Sequence, residues 1–298
     1  MVRSAFFRTR ARWIKSFRPK ATEEVEGQKQ KVEAERLRGT GKAMVETPVR
    51  REWLLLILVI GSTIATTLFG AEPGRLEIPA ASSPGPASPG LQRLRSGGLL
   101  YIPKTYRPNE PLPLLILLHA AQGNSGSWFS GGHKEMPGSF VARADTGRFI
   151  VLAPNAPGTT WGIGPKAWAN DVPQINRAIA AAFAQCAINR DRIAIGGFSD
   201  GASYALSLGL ANGDLIKAVV AFSPGFIVKA VGRGKPALFI SHGREDFILP
   251  VETTKRFVAQ LQKSGYAVDF HEFEGQHEVP AAISNEAMAW LAVRFRSR

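Results

Sequence analysis

From residue 97 onward, short and nearly unbroken apolar runs alternate with stretches whose apolar residues recur at helical spacing. Residues 112–119 (LPLLILLH), 149–153 (FIVLA), 192–197 (RIAIGG), 218–222 (AVVAF) and 237–242 (ALFISH) predict strands buried on both faces. Residues 268–273 alternate apolar and polar and predict a further strand. Between them, residues 172–187, 202–210 and 251–264 predict helices, and a last helix spans 281–295. Strands that are apolar throughout need cover on both faces. The pattern therefore implies an α/β fold with a mostly parallel central sheet and helices on both faces. No internal repeat is visible.

The chain ahead of residue 97 reads differently. Residues 53–69 form an uncharged run, WLLLILVIGSTIATTLF, preceded by Arg50 and Arg51. Its 17 residues are at the short end of what spans a hydrocarbon core. It is too uniformly apolar for a surface helix. A single membrane helix over 53–70 is the expectation. As an uncleaved anchor it would leave the N-terminus cytoplasmic and the following domain across the membrane, because the basic residues lie on its N-terminal side. As a secretory signal it would be removed, although Phe69 fits poorly three positions before a cut at Ala71. Met44 offers an alternative start, which would omit residues 1–43. Residues 1–52 read as a basic tail, disordered or partly helical. Residues 71–96 alternate Pro73, Pro79, Pro84, Pro86 and Pro89 with small residues and read as a linker. The folded α/β domain is expected over 97–298.

The net charge of +13 in 298 residues suggests a nucleic-acid surface until it is located. Residues 1–52 hold 14 Lys/Arg against 7 Asp/Glu, so +7 of the excess lies in a sixth of the chain and +6 in the rest. The charge describes a tail, and no nucleic-acid partner is expected of the domain. The single cysteine, Cys186, excludes an internal disulfide and sits in an apolar stretch as a small hydrophobe. No metal-ligand cluster or dinucleotide fingerprint is present, so no cofactor is expected.

The segment Gly196-Gly197-Phe198-Ser199-Asp200-Gly201 follows an apolar strand and opens a helix. That is the context a G-x-S-x-G nucleophile elbow requires. The turn is tight enough that positions two residues either side of the serine must lack bulk. A serine hydroxyl is a weak nucleophile and needs a base. Five histidines are available: His119, His133, His242, His271 and His277. Only His277 lies after the elbow in a loop between a strand and a helix, and it is the candidate base. His271 reads as a sheet-face residue, His242 as a satisfied structural histidine, and His133 as a solvated loop residue that can line a pocket. Asp246, after the strand 237–242, is the candidate acid, with Glu245 its neighbour and rival. The order Ser199, Asp246, His277 is the hydrolase order. The side chains of Asp200 and Asp171 read as helix-start residues that favour the positive dipole end. For the oxyanion hole, the N–H of Asp200 and an N–H from the loop His119-Ala120-Ala121-Gln122 are the candidates, Ala121 first and Ala120 and Gln122 beside it.

Residues from about 97 to 290 resemble the phospholipase/carboxylesterase branch of the α/β-hydrolases, close to small bacterial esterases and the polyhydroxybutyrate-depolymerase-like group. The matching stretches are LLILLHAAQGN, FIVLAPNAPG, RIAIGGFSDGASYALSLGL, FISHGREDFILP and FEGQHEVP. The family carries His-Gly-x-Gly at the oxyanion loop, where this chain has His119-Ala120-Ala121-Gln122. The resemblance implies the α/β-hydrolase fold and a serine esterase that needs no cofactor. Its partner would be a small-molecule ester, cleaved through an acyl-enzyme. For a domain of this size the resemblance also implies an open cleft, with Trp128, Phe129, Trp161, Trp168, Phe226 and Phe247 as either pocket lining or core. A peptidase of the same fold and a non-catalytic, membrane-tethered binding protein are the alternatives. The acyl and alcohol groups and the oligomeric state are left open.

Overall fold

The computed structural model describes residues 74–80, 85, 87–130, 140–162, 164–228 and 231–296. The basic tail, the apolar 53–70 stretch and His133 fall outside the described residues. No described helix is long and apolar enough to cross a membrane.

Eight strands are described: β1 (Gly90–Arg93), β2 (Leu99–Ile102), β3 (Leu112–Leu118), β4 (Ile150–Ala153), β5 (Ile188–Phe198), β6 (Ala218–Phe222), β7 (Ala237–Gly243) and β8 (Val268–Phe273). They form one sheet in the order β1-β2-β4-β3-β5-β6-β7-β8. β1 and β2 run antiparallel to their neighbours, and β3 to β8 are parallel. The helices are α1 (Phe140–Gly147), α2 (Pro165–Gln185), α3 (Asp200–Ala211), α4 (Val251–Lys263) and α5 (Ala281–Arg296).

Successive strand residues point to opposite faces, and the core divides accordingly. Leu114, Ile116 and Leu118 of β3 join Ile193 and Ile195 of β5 in one cluster, with α2, α3 and α4 over them. Leu115 and Leu117 join Ala194, Val220 and Phe239 in the other, covered by α1 and α5. Each fully buried Leu, Ile or Phe contributes about 1.5–3 kcal/mol. A one-residue slip would not expose a strand buried on both faces, but it would exchange its two sets of side chains between clusters of different shape. The helix faces follow the same rule. In α5, Ile283, Ala287, Leu291 and Phe295 are buried at four-residue spacing.

Four elements, β1, β2, α1 and α2, depart from the sequence expectation. The 71–96 stretch, expected to be a linker, supplies β1, and Leu76 is buried in the core. Asn212 at the end of α3 anchors it: its Nδ2 donates to Gly74 O at 2.9 Å, and its Oδ1 accepts from Leu76 N–H at 2.9 Å. Arg75 adds an ion pair with Asp214. Such long-range bonds leave no trace in composition. α2 begins at Pro165, seven residues earlier than expected, with proline in its first turn, where its missing N–H costs nothing. Asp171 therefore lies inside a helix and not at its start. α1 has too short a periodic stretch to predict.

Candidate active site

β5 carries the chain to the middle of the parallel strands, and Ser199 turns it directly into α3. The serine sits at φ 58°, ψ −117°, a strained conformation for a residue with a side chain. Its N–H donates to Phe222 O at 2.9 Å, which ties the turn to the end of β6. The absent side chains on either side are required by contact. A Cβ on Gly197 would come within 2.4 Å of Gly201 C, and one on Gly201 within 2.2 Å of Leu118 O.

Asp246 and His277 come from the ends of neighbouring strands. Gly243 closes β7, and two backbone bonds stitch the next turn to the histidine loop: Arg244 N–H to Phe273 O and Glu245 N–H to Gly275 O, each 2.9 Å. This fixes which of the two adjacent acids turns inward. Asp246 is buried, whereas Glu245 is exposed. The His277 Nδ1–H donates to Asp246 Oδ2 at 2.6 Å. The His277 ring packs on Phe198, immediately before Ser199, with centroids 4.8 Å apart. The candidate base thus stands beside the elbow, with Nδ1 committed to the acid and Nε2 its remaining nitrogen.

Four donors converge on Asp246. Besides His277, the N–H groups of Ile248 and Leu249 donate to Oδ1 at 2.9 and 2.7 Å. His242 Nε2 lies 3.1 Å from Oδ2. Burial opposes the charge, yet the hydrogen bonds from His242, His277 and Leu249 outweigh it and hold the carboxyl well below its ordinary range. His242 is bound on both nitrogens, as expected of a structural histidine. Its contact with the acid was not legible in the sequence. Nε2 also faces Leu249 O at 2.7 Å, so with two acceptors before it this nitrogen carries a proton. Nδ1 meets Thr254 Oγ1 at 2.9 Å.

The oxyanion candidates lie at the start of α3 and in the loop after β3. Asp200 is the first residue of α3, so its N–H has no carbonyl within the helix to bond. Across from it, Gly201 packs against the carbonyls of Leu118 and His119, which brings the loop after β3 against the start of α3. Within that loop, Gln122 N–H donates to Thr159 O at 2.6 Å and Gly123 N–H to Ala120 O at 3.0 Å. Gln122 is thereby occupied, while no described residue accepts from the Ala121 N–H. Gln122 stands at φ 61° in the left-handed region that glycine ordinarily fills. His119 is buried, with Nδ1 against Ala120 O at 2.8 Å and Nε2 accepting from Ala156 N–H at 3.1 Å. Its burial lowers its pKa and keeps the ring neutral.

The Asp200 side chain does more than face a helix dipole. Its Oδ2 accepts from the Thr160 hydroxyl and from Trp161 N–H. Asp171 Oδ2 likewise accepts from Gly162 N–H at 2.7 Å. Both carboxyls are raised by burial. Trp128, Phe129, Trp161 and Trp168 are buried and belong to the core. Phe226 is half-buried, and Phe247 and Ile248 are exposed beside Asp246. His271 stacks on Phe239 at 4.4 Å as a sheet-face residue. The Cys186 thiol is pushed up to about 12 by burial, which makes it inert at neutral pH. Among the described residues no group of three His, Cys, Asp or Glu side chains is placed to hold a metal ion.

An elbow serine at the central strand, an acid after β7 and a histidine after β8, on this strand order, define an α/β-hydrolase fold. The phospholipase/carboxylesterase family model matches residues 166–292, the stretch that holds Ser199, Asp246 and His277. Among solved structures the chain is similar to the esterase PE8, at 22% identity over 68% of this chain and 98% of that one, TM-score 0.52. It is also similar to a fluorophosphonate-binding serine hydrolase of Staphylococcus aureus, substrate bound, at 16% identity over 69% and 99%, TM-score 0.52. A ferulic acid esterase of Anaeromyces mucronatus in complex with ferulic acid is 20% identical over 75% and 95%, TM-score 0.51. At these identities the likeness speaks for the fold. No curated protein matches the chain.

Proposed function

We propose that the protein is a serine esterase that cleaves small carboxylic esters through an acyl-enzyme. Ser199 is the nucleophile, His277 the base and Asp246 the acid that orients it. The observation that carries this reading is the buried 2.6 Å bond from His277 to Asp246, with the same imidazole packed beside the elbow. With Nδ1 donating to an ionised Asp246, the neutral ring has its lone pair on Nε2, the tautomer a general base needs. Ser199 Oγ adds to the ester carbonyl as its proton passes to His277 Nε2. The carbonyl π pair moves to the oxygen, where the N–H groups of Asp200 and Ala121 hold it. Collapse expels the alcohol, which takes the proton from His277. Water then repeats the sequence on the acyl-enzyme and releases the acid.

Replacing Ser199 with Ala is expected to reduce turnover of p-nitrophenyl acetate by at least about 10³-fold and to abolish fluorophosphonate labelling. A variant that keeps wild-type turnover sinks the assignment. Folded wild-type protein that does not label points to the non-catalytic alternative, and turnover of aminoacyl amides without turnover of esters points to the peptidase. The neighbours named as esterases support ester over amide as the first substrate class to test. For residues 53–70 we propose the membrane anchor expected from their composition, with the domain extracytoplasmic.

A further inference from the structure

The loop between β4 and α2, residues 154–162, straps the oxyanion loop from outside. Thr159 O accepts from Gln122 N–H, Trp161 Nε1–H donates to His119 O at 2.9 Å, and Ala156 N–H donates to His119 Nε2. The Trp161 ring lies between those of His119, centroids 5.1 Å apart, and Tyr204, 5.4 Å apart. The strap is held in turn by Asp200 Oδ2, which accepts from the Thr160 hydroxyl and from Trp161 N–H at 2.9 Å.

The oxyanion loop needs such help. It has no glycine over residues 120–122, and Gln122 is nevertheless left-handed. A side-chain-bearing residue persists there only when its surroundings over-determine it. The surroundings that touch this loop run back, through two residues, to the carboxylate beside the nucleophile.

Resting on the esterase reading, we propose that the Asp200 carboxylate is a positioning residue for the oxyanion hole: by holding Thr160 and Trp161 it fixes the strap that sets the Ala121 amide. Asp200 then serves the oxyanion twice, directly through its own N–H and indirectly through its side chain. A purely structural carboxylate would affect folding stability and leave the transition state alone. The two roles separate in kcat and in the affinity for an inhibitor whose serine adduct carries the oxyanion.

The test compares full-length wild type, Asp200→Ala and Asp200→Asn on p-nitrophenyl acetate and with a trifluoromethyl ketone. Asp200→Ala is expected to lower kcat by about 10²-fold, the loss typical of one oxyanion donor. KM should stay within about threefold, and ketone inhibition should weaken in step with kcat. Asp200→Asn keeps an oxygen able to accept both bonds, and should recover at least about tenfold of that loss. The proposal is overturned if folded Asp200→Ala keeps kcat within about threefold, if the loss falls on KM alone, or if Asn does no better than Ala. Should Asp200→Ala not fold, Thr160→Val removes one donor from an exposed position. A loss of about fivefold or more in kcat then supports the proposal, and none overturns it. An active wild type with indifferent variants removes the positioning role alone. An inert wild type removes the esterase reading and this role with it.

Discussion

Asp246 shows how one side chain can be both costly to bury and stabilising. Its carboxyl is removed from water but receives two imidazole and two backbone donors. Hydrogen bonds to a charged group contribute about 1.5–3 kcal/mol each, enough together to exceed the desolvation. The folded carboxyl is held below its ordinary value. The stability it adds is therefore fully present above the unfolded range of roughly 3.9 and is lost as pH falls through the lowered folded value. Asp246→Asn should thus be least stable relative to wild type near pH 7, with the gap closing below about pH 4. Urea unfolding at pH 7, 5 and 3 checks this, and a gap that widens in acid would contradict it. At this scale Ser199, His277 and the Asp246/Glu245 pair were readable as candidates from motif and order. The converging donors were not, because His242, Ile248 and Leu249 carry no signature for the atom they face.

Elements in this fold are held by what crosses between them. The segment ahead of β1 has the composition of a linker, yet Leu76 is buried, and the fully buried Asn212 satisfies Gly74 and Leu76 at once. Asn212→Ala would leave a buried N–H and a buried carbonyl without partners. The expected cost is about 2 kcal/mol, within the 1–3 kcal/mol typical of such groups. Thermal unfolding should show a lower Tm, with proteolysis appearing first in residues 74–80; an unchanged Tm would mean that the segment contributes nothing. The strands β3 to β8 needed no such hidden contact to be foreseen, since β3 to β7 each carry an apolar run and β8 alternates apolar and polar residues. β1, β2 and α1 are short, and neighbours rather than propensity stabilise them.

For the whole molecule, more than half of the excess positive charge and the apolar 53–70 stretch lie ahead of the folded domain. Full-length protein is expected in the membrane fraction and resistant to carbonate extraction, and protein beginning at residue 74 in the soluble fraction. Full-length protein released by carbonate would remove the anchor proposal. Hydrophobic period determined that the chain holds a parallel α/β sheet, and the G-x-S-x-G motif marked its candidate elbow serine, because burial of both sheet faces and a tight strand-to-helix turn impose patterns on consecutive residues. Only the tertiary structure decided that Asp246 and not Glu245 meets His277, that Gln122 is spoken for by Thr159, and that Asp200 grips the strap beyond it. Those choices depend on atoms brought together from 31 to 40 positions apart along the chain, a separation at which a residue's type no longer says which partner it will find.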